Sequence, residues 1–225
     1  RAKNRIAQAG IPFRVPEQSE LPERLDAVLA AIYATFAEGW VDAAGTDTRR
    51  RNLAGEGIWL GRLIVSLMPG EPEARGLLAM MLYAEARRPA RRSASGDYVP
   101  LSEQDSTLWD SDLIDEAEDL LRTASAEGPG GRYQLEAAIQ SAHVVRRVTG
   151  SADWRAIAAL YGSLAEMTAS PVVAINRAVA IAEVDGPAAG LGALGYIAGD
   201  PRLAEYQPYW AAFADLSARA GNLAD

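Results

Sequence analysis

Apolar residues recur at helical spacing through the first half of the chain. Leu25, Leu29, Ile32 and Phe36 fall on one face and predict a helix over residues 21–39. The same spacing predicts three more helices before residue 131, over 46–69, 71–88 and 110–127. We expect the second and third helices to form an antiparallel pair packed on the first.

The second half carries a self-similar period. Gly150, Gly186 and Gly221 close successive helical segments at intervals of 36 and 35 residues. A period of this length is typical of stacked helix-turn-helix repeats. The predicted fold class is therefore all-α, with a helical-hairpin (tetratricopeptide-like) solenoid, an architecture that usually provides a binding surface.

Five consecutive helices are expected in this half, over 132–148, 153–167, 171–184, 187–197 and 203–220. Asp153 and Ser170 are expected to act as N-caps. The segment from Trp154 to Tyr161 resembles the tetratricopeptide signature, which would make 153–167 the first helix of a repeat. The glycine spacing makes it the second, so the phase of the repeats stays open.

Proline, glycine and serine divide the chain into parts. The basic segment 1–9 is expected to be the tail of an upstream helix, followed by an extended linker. Turn residues at 93–97 suggest one short two-stranded ribbon near residues 91–101. The predicted organisation is residues 1–20 as upstream tail and linker, 21–130 as a proximal helical subdomain, and 131–225 as the helical repeats.

Composition and charge limit the function. The chain has 225 residues and a net charge of −8, so as a whole it repels nucleic-acid phosphates. It has no cysteine and one histidine, which excludes disulfides and a histidine-rich metal site and fits a reducing cytoplasm. No apolar run approaches the length of about 20 residues that a membrane helix needs. Because the chain begins with Arg1, we expect it to be a fragment of a longer protein.

No residue pattern predicts an enzyme. No serine lies in a nucleophile elbow, and the glycines of 128–131 are not followed by the lysine of a phosphate-binding loop. The carboxylates of 115–119 fit the solvated face of an amphipathic helix. No catalytic residue, metal or cofactor is therefore expected.

Polar residues that interrupt the apolar repeat helices are the candidate binding residues. One period separates Gln140 from Asn176 and Arg147 from Glu183, and Arg177 adjoins Asn176. We expect a polar stripe that holds a peptide or partner through amides and guanidinium groups. The alternative, that these groups satisfy buried loop carbonyls between repeats, stays open.

His143 belongs to the same candidate set, because it shares a helix face with Gln140 and Glu136. It is interpreted either as a polar contact to a ligand or partner in the groove, or as a histidine bonded to its helix neighbours. Two arginine clusters, at 87–92 and 146–147, are interpreted as helix C-terminal charges and solvated turns.

Several segments resemble the C-terminal extension of one group of extracytoplasmic-function RNA polymerase sigma factors, the group with a tetratricopeptide-like tail. The resemblance covers nearly the whole chain, and the segment from residue 170 to 187 is the most specific. The segments are RAKNRI (1–6), GIPFRVP (10–16), LPERL (21–25), LGRL (60–63), MP (68–69), QD (104–105), WD (109–110), YQLEAAI (133–139), SPVVAINRAV (170–179) and VDGP (184–187).

This resemblance implies a regulatory module without catalytic residues. Segment 1–8 would be the end of the domain that reads the −35 promoter element, and the tail would govern the sigma DNA-binding domains in cis. The implied partners are those domains and the RNA polymerase core, with promoter DNA contacted only through the absent upstream domains. The family's repeats normally continue past a position such as Gly221, so the last repeat is expected to be half-made.

Two other functions stay open. One is a small-molecule sensor with Trp59, Trp109 and Trp154 on the helices around a pocket. The other is a stand-alone repeat adaptor that binds a peptide. An upstream helix-turn-helix in the gene would exclude the adaptor.

Overall fold

The described chain is almost entirely helical, which confirms the all-α class. The computed structural model describes residues 17, 20–41, 48–128 and 130–221. The basic segment 1–9, most of the linker and residues 222–225 lie outside the described residues. None of the described helices has the length and apolar character needed to cross a membrane. The helices of two turns or more are α1 (Leu21–Val41), α2 (Thr48–Leu67), α3 (Pro72–Ala86), α4 (Ser111–Glu127), α5 (Arg132–Val144), α6 (Trp154–Thr168), α7 (Pro171–Asp185), α8 (Pro187–Gly195) and α9 (Gln207–Arg219).

Aspartate caps fix the first turns of two helices. Asp110 accepts hydrogen bonds from two backbone N–H groups of α4, at 3.0 and 3.1 Å, and Asp153 accepts one from α6 at 3.0 Å. Ser170 occupies the N-cap of α7 as predicted, but its side chain makes no capping hydrogen bond. There the fixed φ of Pro171 in the first turn favours the helix start.

Most helices pack on their neighbours in the chain, and α3 joins the two halves. α1 pairs with α2, and α3 with α4, while α5 to α9 pack successively. α3 also contacts α1, α2 and α5. Every side chain from Leu77 to Tyr83 is consequently buried, so α3 has no solvated face.

The contact between α3 and α5 is fixed by one carboxylate and one glycine. Glu73 of α3 accepts hydrogen bonds from the backbone N–H groups of Tyr133 and Gln134, at 2.9 and 3.1 Å. These N–H groups belong to the first turn of α5, whose own N-cap residue has no side chain. A Cβ atom on Gly76 would lie 2.6 Å from the Gln134 nitrogen, so the two backbones approach closely.

Helix α5 belongs to two cores. Tyr133 and Ala137 pack into the large core built by α1 to α4. Ile139, from the same helix, packs with Ile157 and Leu164 of α6. The domain boundary expected after residue 130 therefore falls just before α5, whose residues pack into both cores.

The three repeated glycines all have a positive φ angle. Gly150, Gly186 and Gly221 have φ angles of 81°, 91° and 75° and each follows a helical segment. Gly150 precedes α6, and Gly186 directly precedes α8. Two predicted helices are shorter than expected. α5 ends at Val144 and is followed by one separate helical turn, Arg146–Thr149, and α9 begins only at Gln207.

The ribbon expected near 91–101 is reduced to one antiparallel bridge, between Arg92 and Tyr98. No strand occurs in the part of the chain that the structure describes. Arg146 holds the rest of this irregular segment by donating hydrogen bonds to the carbonyl oxygens of Leu101 and Gln104, at 2.6 and 2.8 Å. Its interpretation as a solvated charge was wrong, because it satisfies loop carbonyls across the fold.

We predict that Gly76→Ala destabilises the protein by about 2 kcal/mol, because the added methyl group meets the backbone of α5 rather than a side chain that can move. The measurement is the free energy of unfolding in urea. Gly55→Ala is the matched control, since a Cβ on this exposed helical glycine meets nothing within 4 Å. It should leave stability unchanged or raise it by up to about 1 kcal/mol. Equal effects of the two substitutions would contradict the close approach.

Candidate functional site

A cavity of about 460 Å³ lies where α1, α3, α5, α6 and α7 meet. Its walls combine aromatic rings from α1 and α6 with polar groups from α3, α5 and α7. The rim includes the exposed Val172 and Asn176 of α7. Its lining residues are Tyr33, Phe36, Ala37, Trp40, Met80, Ala84, Arg87, Arg132, Glu136, Ile139, Gln140, Tyr161, Leu164, Ser170, Val172, Val173 and Asn176.

Arg87 is the buried cation of this cavity. It follows the last residue of α3, and only 8% of it is exposed. Its Nη2 donates a hydrogen bond to Oε1 of Gln140 at 2.6 Å, whereas Nη1 has no hydrogen-bond partner among the described residues. Burial, reinforced by the nearby charge of Arg91, lowers the pKa of Arg87 to about 10, so it stays a cation at neutral pH.

Two further arginines surround Trp40 at the edge of the cavity. The Arg91 guanidinium lies 3.9 Å from the centroid of the Trp40 ring, and that of Arg88 lies 5.1 Å from it. Arg88 is neutralised by Glu85, whose two oxygens it contacts at 2.8 and 2.9 Å. Arg91 donates instead to the carbonyl oxygen of Trp40 at 3.1 Å. The interpretation of 87–92 as a solvated cluster was therefore wrong for Arg87, which the fold buries.

The other charges on the cavity wall neutralise each other. Arg132 donates to Oε1 of Glu136 at 2.8 Å, one turn along α5. Tyr33 lies nearby on α1, and burial raises the pKa of its hydroxyl. Burial also raises the pKa of Tyr161 to about 12, opposed by a hydrogen bond with Asn176. Both phenols are therefore neutral donors at physiological pH.

The structure divides the six predicted binding residues among several surfaces. Gln140 and Asn176, one period apart in sequence, line the same cavity. His143 and Glu183 line a second depression beside Trp154. Neither Arg147 nor Arg177 lines these two cavities.

Arg147 and Arg177 lie on different parts of the surface. Arg147, in the short helical turn after α5, forms an exposed ion pair with Asp115 of α4 at 2.7 Å. Arg177 is exposed and borders a third depression, together with Tyr196. Glu183 is also engaged elsewhere, since it pairs with Arg219 of α9 at 2.8 Å.

His143 is held against an aromatic ring rather than in a groove with the amides. Its ring meets Trp154 edge to face, with the centroids 5.3 Å apart. Burial, reinforced by the charges of Arg87 and Arg146, lowers the pKa of His143 to about 4. The imidazole is consequently neutral at physiological pH.

Sequence reasoning missed Arg87 and Trp40. Arg87 looked like one of several charges at the end of a helix, and nothing local distinguished it from Arg88. Of the helices expected around a sensor pocket, the one that carries Trp154 lines this cavity, through Tyr161 and Leu164. The three tryptophan rings do not line it: Trp59 is 58% exposed, Trp109 is buried in the large core, and Trp154 contacts His143. The apolar stripe of α1, in contrast, was identified, and Phe36 lies on it.

Comparison with known proteins gives two matches. Residues 24–125, from α1 into α4, match the model of a family of unknown function (DUF6596). The chain is also similar to an uncharacterized protein of Rhizobium meliloti (strain 1021), with 41% identity over 191 residues, which cover 85% of this chain and 45% of that protein. The chain thus spans less than half the length of that relative. No solved structure matches it.

We predict that His143 makes the protein less stable as the pH falls from 6.5 to 4. The unfolded chain takes up a proton near the ordinary histidine pKa of 6.5, whereas folded His143 stays neutral down to about pH 4. Folding stability from this group is therefore complete above pH 6.5 and declines below it, by up to about 3 kcal/mol.

Urea unfolding of the wild type and of His143→Gln, measured from pH 7.5 to 4, tests this. The wild type should lose stability relative to the variant in that window, because carboxylates titrate equally in both. His143 is the single histidine of the chain, so an NMR titration assigns its pKa directly. Parallel stability curves, or a pKa near 6.5, would contradict the burial of a neutral imidazole.

Proposed function

We propose that this chain is the C-terminal regulatory, protein-interaction domain of an alternative sigma factor, built as an array of helical hairpins. The support from sequence is the resemblance described above, of which the most specific segment forms α7 and the turn at Gly186. In this proposal the domain acts in the cytoplasm, by docking the sigma DNA-binding domains in cis or the RNA polymerase core. Promoter DNA is contacted only by upstream domains.

The observation that carries the proposal is an apolar groove between α1 and α2, with a volume of about 310 Å³. Val28, Leu63 and Leu67 line it, although their side chains are 42%, 39% and 68% exposed. Contiguous exposed apolar surface is a feature of protein-interaction sites. α1 is the first long helix of the described chain. A domain attached ahead of it would therefore need only a short linker to reach the groove.

Charge supports docking of a basic partner. The chain carries a net charge of −8, and sigma DNA-binding domains must be basic to hold phosphates. Attraction between such domains would speed and orient their association, and salt would weaken it. The Rhizobium meliloti relative has more than half of its length outside the match, which leaves room there for further domains.

The cavity at Arg87 favours a second candidate, a domain that senses a small molecule. A concave, mostly apolar site with a few convergent polar groups is typical of ligand pockets. The two functions are compatible, since the groove and the cavity use different residues of α1.

We predict that Leu63→Asp changes transcription in the same direction as deletion of this whole segment from the full-length protein. A charge placed in the apolar groove should weaken docking by about ten-fold or more, because it must be desolvated on binding. Transcription from a cognate promoter is the measurement, at two salt concentrations.

Val148→Asp is the matched control, because Val148 is equally apolar, 81% exposed and outside the groove. It should leave transcription unchanged. Circular dichroism of both variants checks that they fold. If deletion of the segment leaves transcription and promoter binding unchanged, the proposed regulatory role is wrong.

A further inference from the structure

We propose that the cavity among α1, α3, α5, α6 and α7 binds a small aromatic monocarboxylate, with the carboxylate at Arg87 and the ring against the aromatic wall of α1. This inference does not depend on the docking proposal, because it rests on other residues. It assigns a ligand class to a site whose buried cation, Arg87, has one nitrogen without a hydrogen-bond partner among the described residues.

The net charge of the cavity lining favours an anionic ligand. Of the three charged lining residues, Arg132 and Glu136 neutralise each other through their 2.8 Å contact. Arg87 has no carboxylate partner within the described residues. The wall therefore carries one uncompensated positive charge, in a protein whose net charge is −8.

The geometry around Arg87 suits a carboxylate. A buried guanidinium without an anionic partner is costly, because desolvation is not offset by charge pairing. One nitrogen of Arg87 is held by the Gln140 oxygen, which fixes the guanidinium and leaves the Gln140 amide nitrogen as a further donor on the same wall. A carboxylate next to both would pair the charge and accept charge-assisted hydrogen bonds.

The remaining wall suits an aromatic ring. Phe36 and Trp40 are stacked, with their centroids 5.8 Å apart and their planes inclined by 18°, and Tyr33 lies one turn earlier on α1. Rings of ligands pack on such surfaces in offset or edge-to-face arrangements. The volume of about 460 Å³ is sufficient for one ring with a short acidic side chain.

The same features disfavour other ligand classes. A cation would meet Arg87 unscreened, and a neutral ligand would leave its charge unpaired. A phosphate monoester brings a second negative charge, for which the cavity wall has no free cation among the described residues. Arg91, whose charge acts on Arg87, already stacks on Trp40 and is not part of the wall.

The test uses 3-phenylpropionate as the probe and 3-phenylpropanamide as its neutral match, titrated into the chain by calorimetry and in a thermal-shift assay. We expect 3-phenylpropionate to bind and to raise the Tm, and the amide to bind at least about ten-fold more weakly. Arg87→Met should abolish the preference for the carboxylate. Arg122→Met is the matched control, since Arg122 is an exposed arginine that pairs with Asp119 away from the cavity.

Ala37→Phe provides a second variant that keeps Arg87 intact. Ala37 lines the cavity and is half-buried, so a phenyl group there should fill the ring site and reduce binding of 3-phenylpropionate by ten-fold or more. This variant decides the question if Arg87→Met does not fold. Absence of binding by 3-phenylpropionate, equal binding of the amide, or binding unaffected by Ala37→Phe would each overturn the proposal.

Discussion

The two halves of the chain are joined by the hydrogen bonds that the Glu73 carboxylate accepts from the first turn of α5. A helix N-terminus that begins at glycine has backbone N–H groups with no side chain of its own to accept them. Glu73 supplies the acceptor from another helix, and its charge complements the dipole of α5. This contact fixes the position of α5 along α3, and the absence of a Cβ on Gly76 lets the two backbones come close enough to make it.

The contact between α3 and α5 also determines the surroundings of the buried Arg87 guanidinium. Once α5 is placed against α3, Gln140 reaches Arg87 at the end of α3, and the aromatic residues of α1 close the space beside them. A buried arginine held by a neutral amide keeps its charge without compensation from the protein. Arg87 is one of the residues that line this cavity.

The sequence predicted the parts of the fold that depend on local periodicity. The helices and the presence of Gln140 and Asn176 on one side of the fold follow from spacing alone, since each was predicted from the periodicity of the sequence. Arg87, Arg146 and Glu73 were beyond that reasoning. Their partners lie 53, 45 and 60 residues away, and nothing in the local sequence distinguishes such arginines and glutamates from solvated ones. The cavity was missed for the same reason, because five helices contribute to it.

Because α5 packs into both cores, the unfolding of one half affects the other. Removing the distal helices would strip Ile139 of its partners, whereas removing α3 would expose Tyr133 and Ala137 and leave the first turn of α5 without its acceptor. Neither half therefore has a complete boundary of its own, and opening one must weaken the other. Local unfolding of either half would therefore remove packing partners from α5 and weaken the other half.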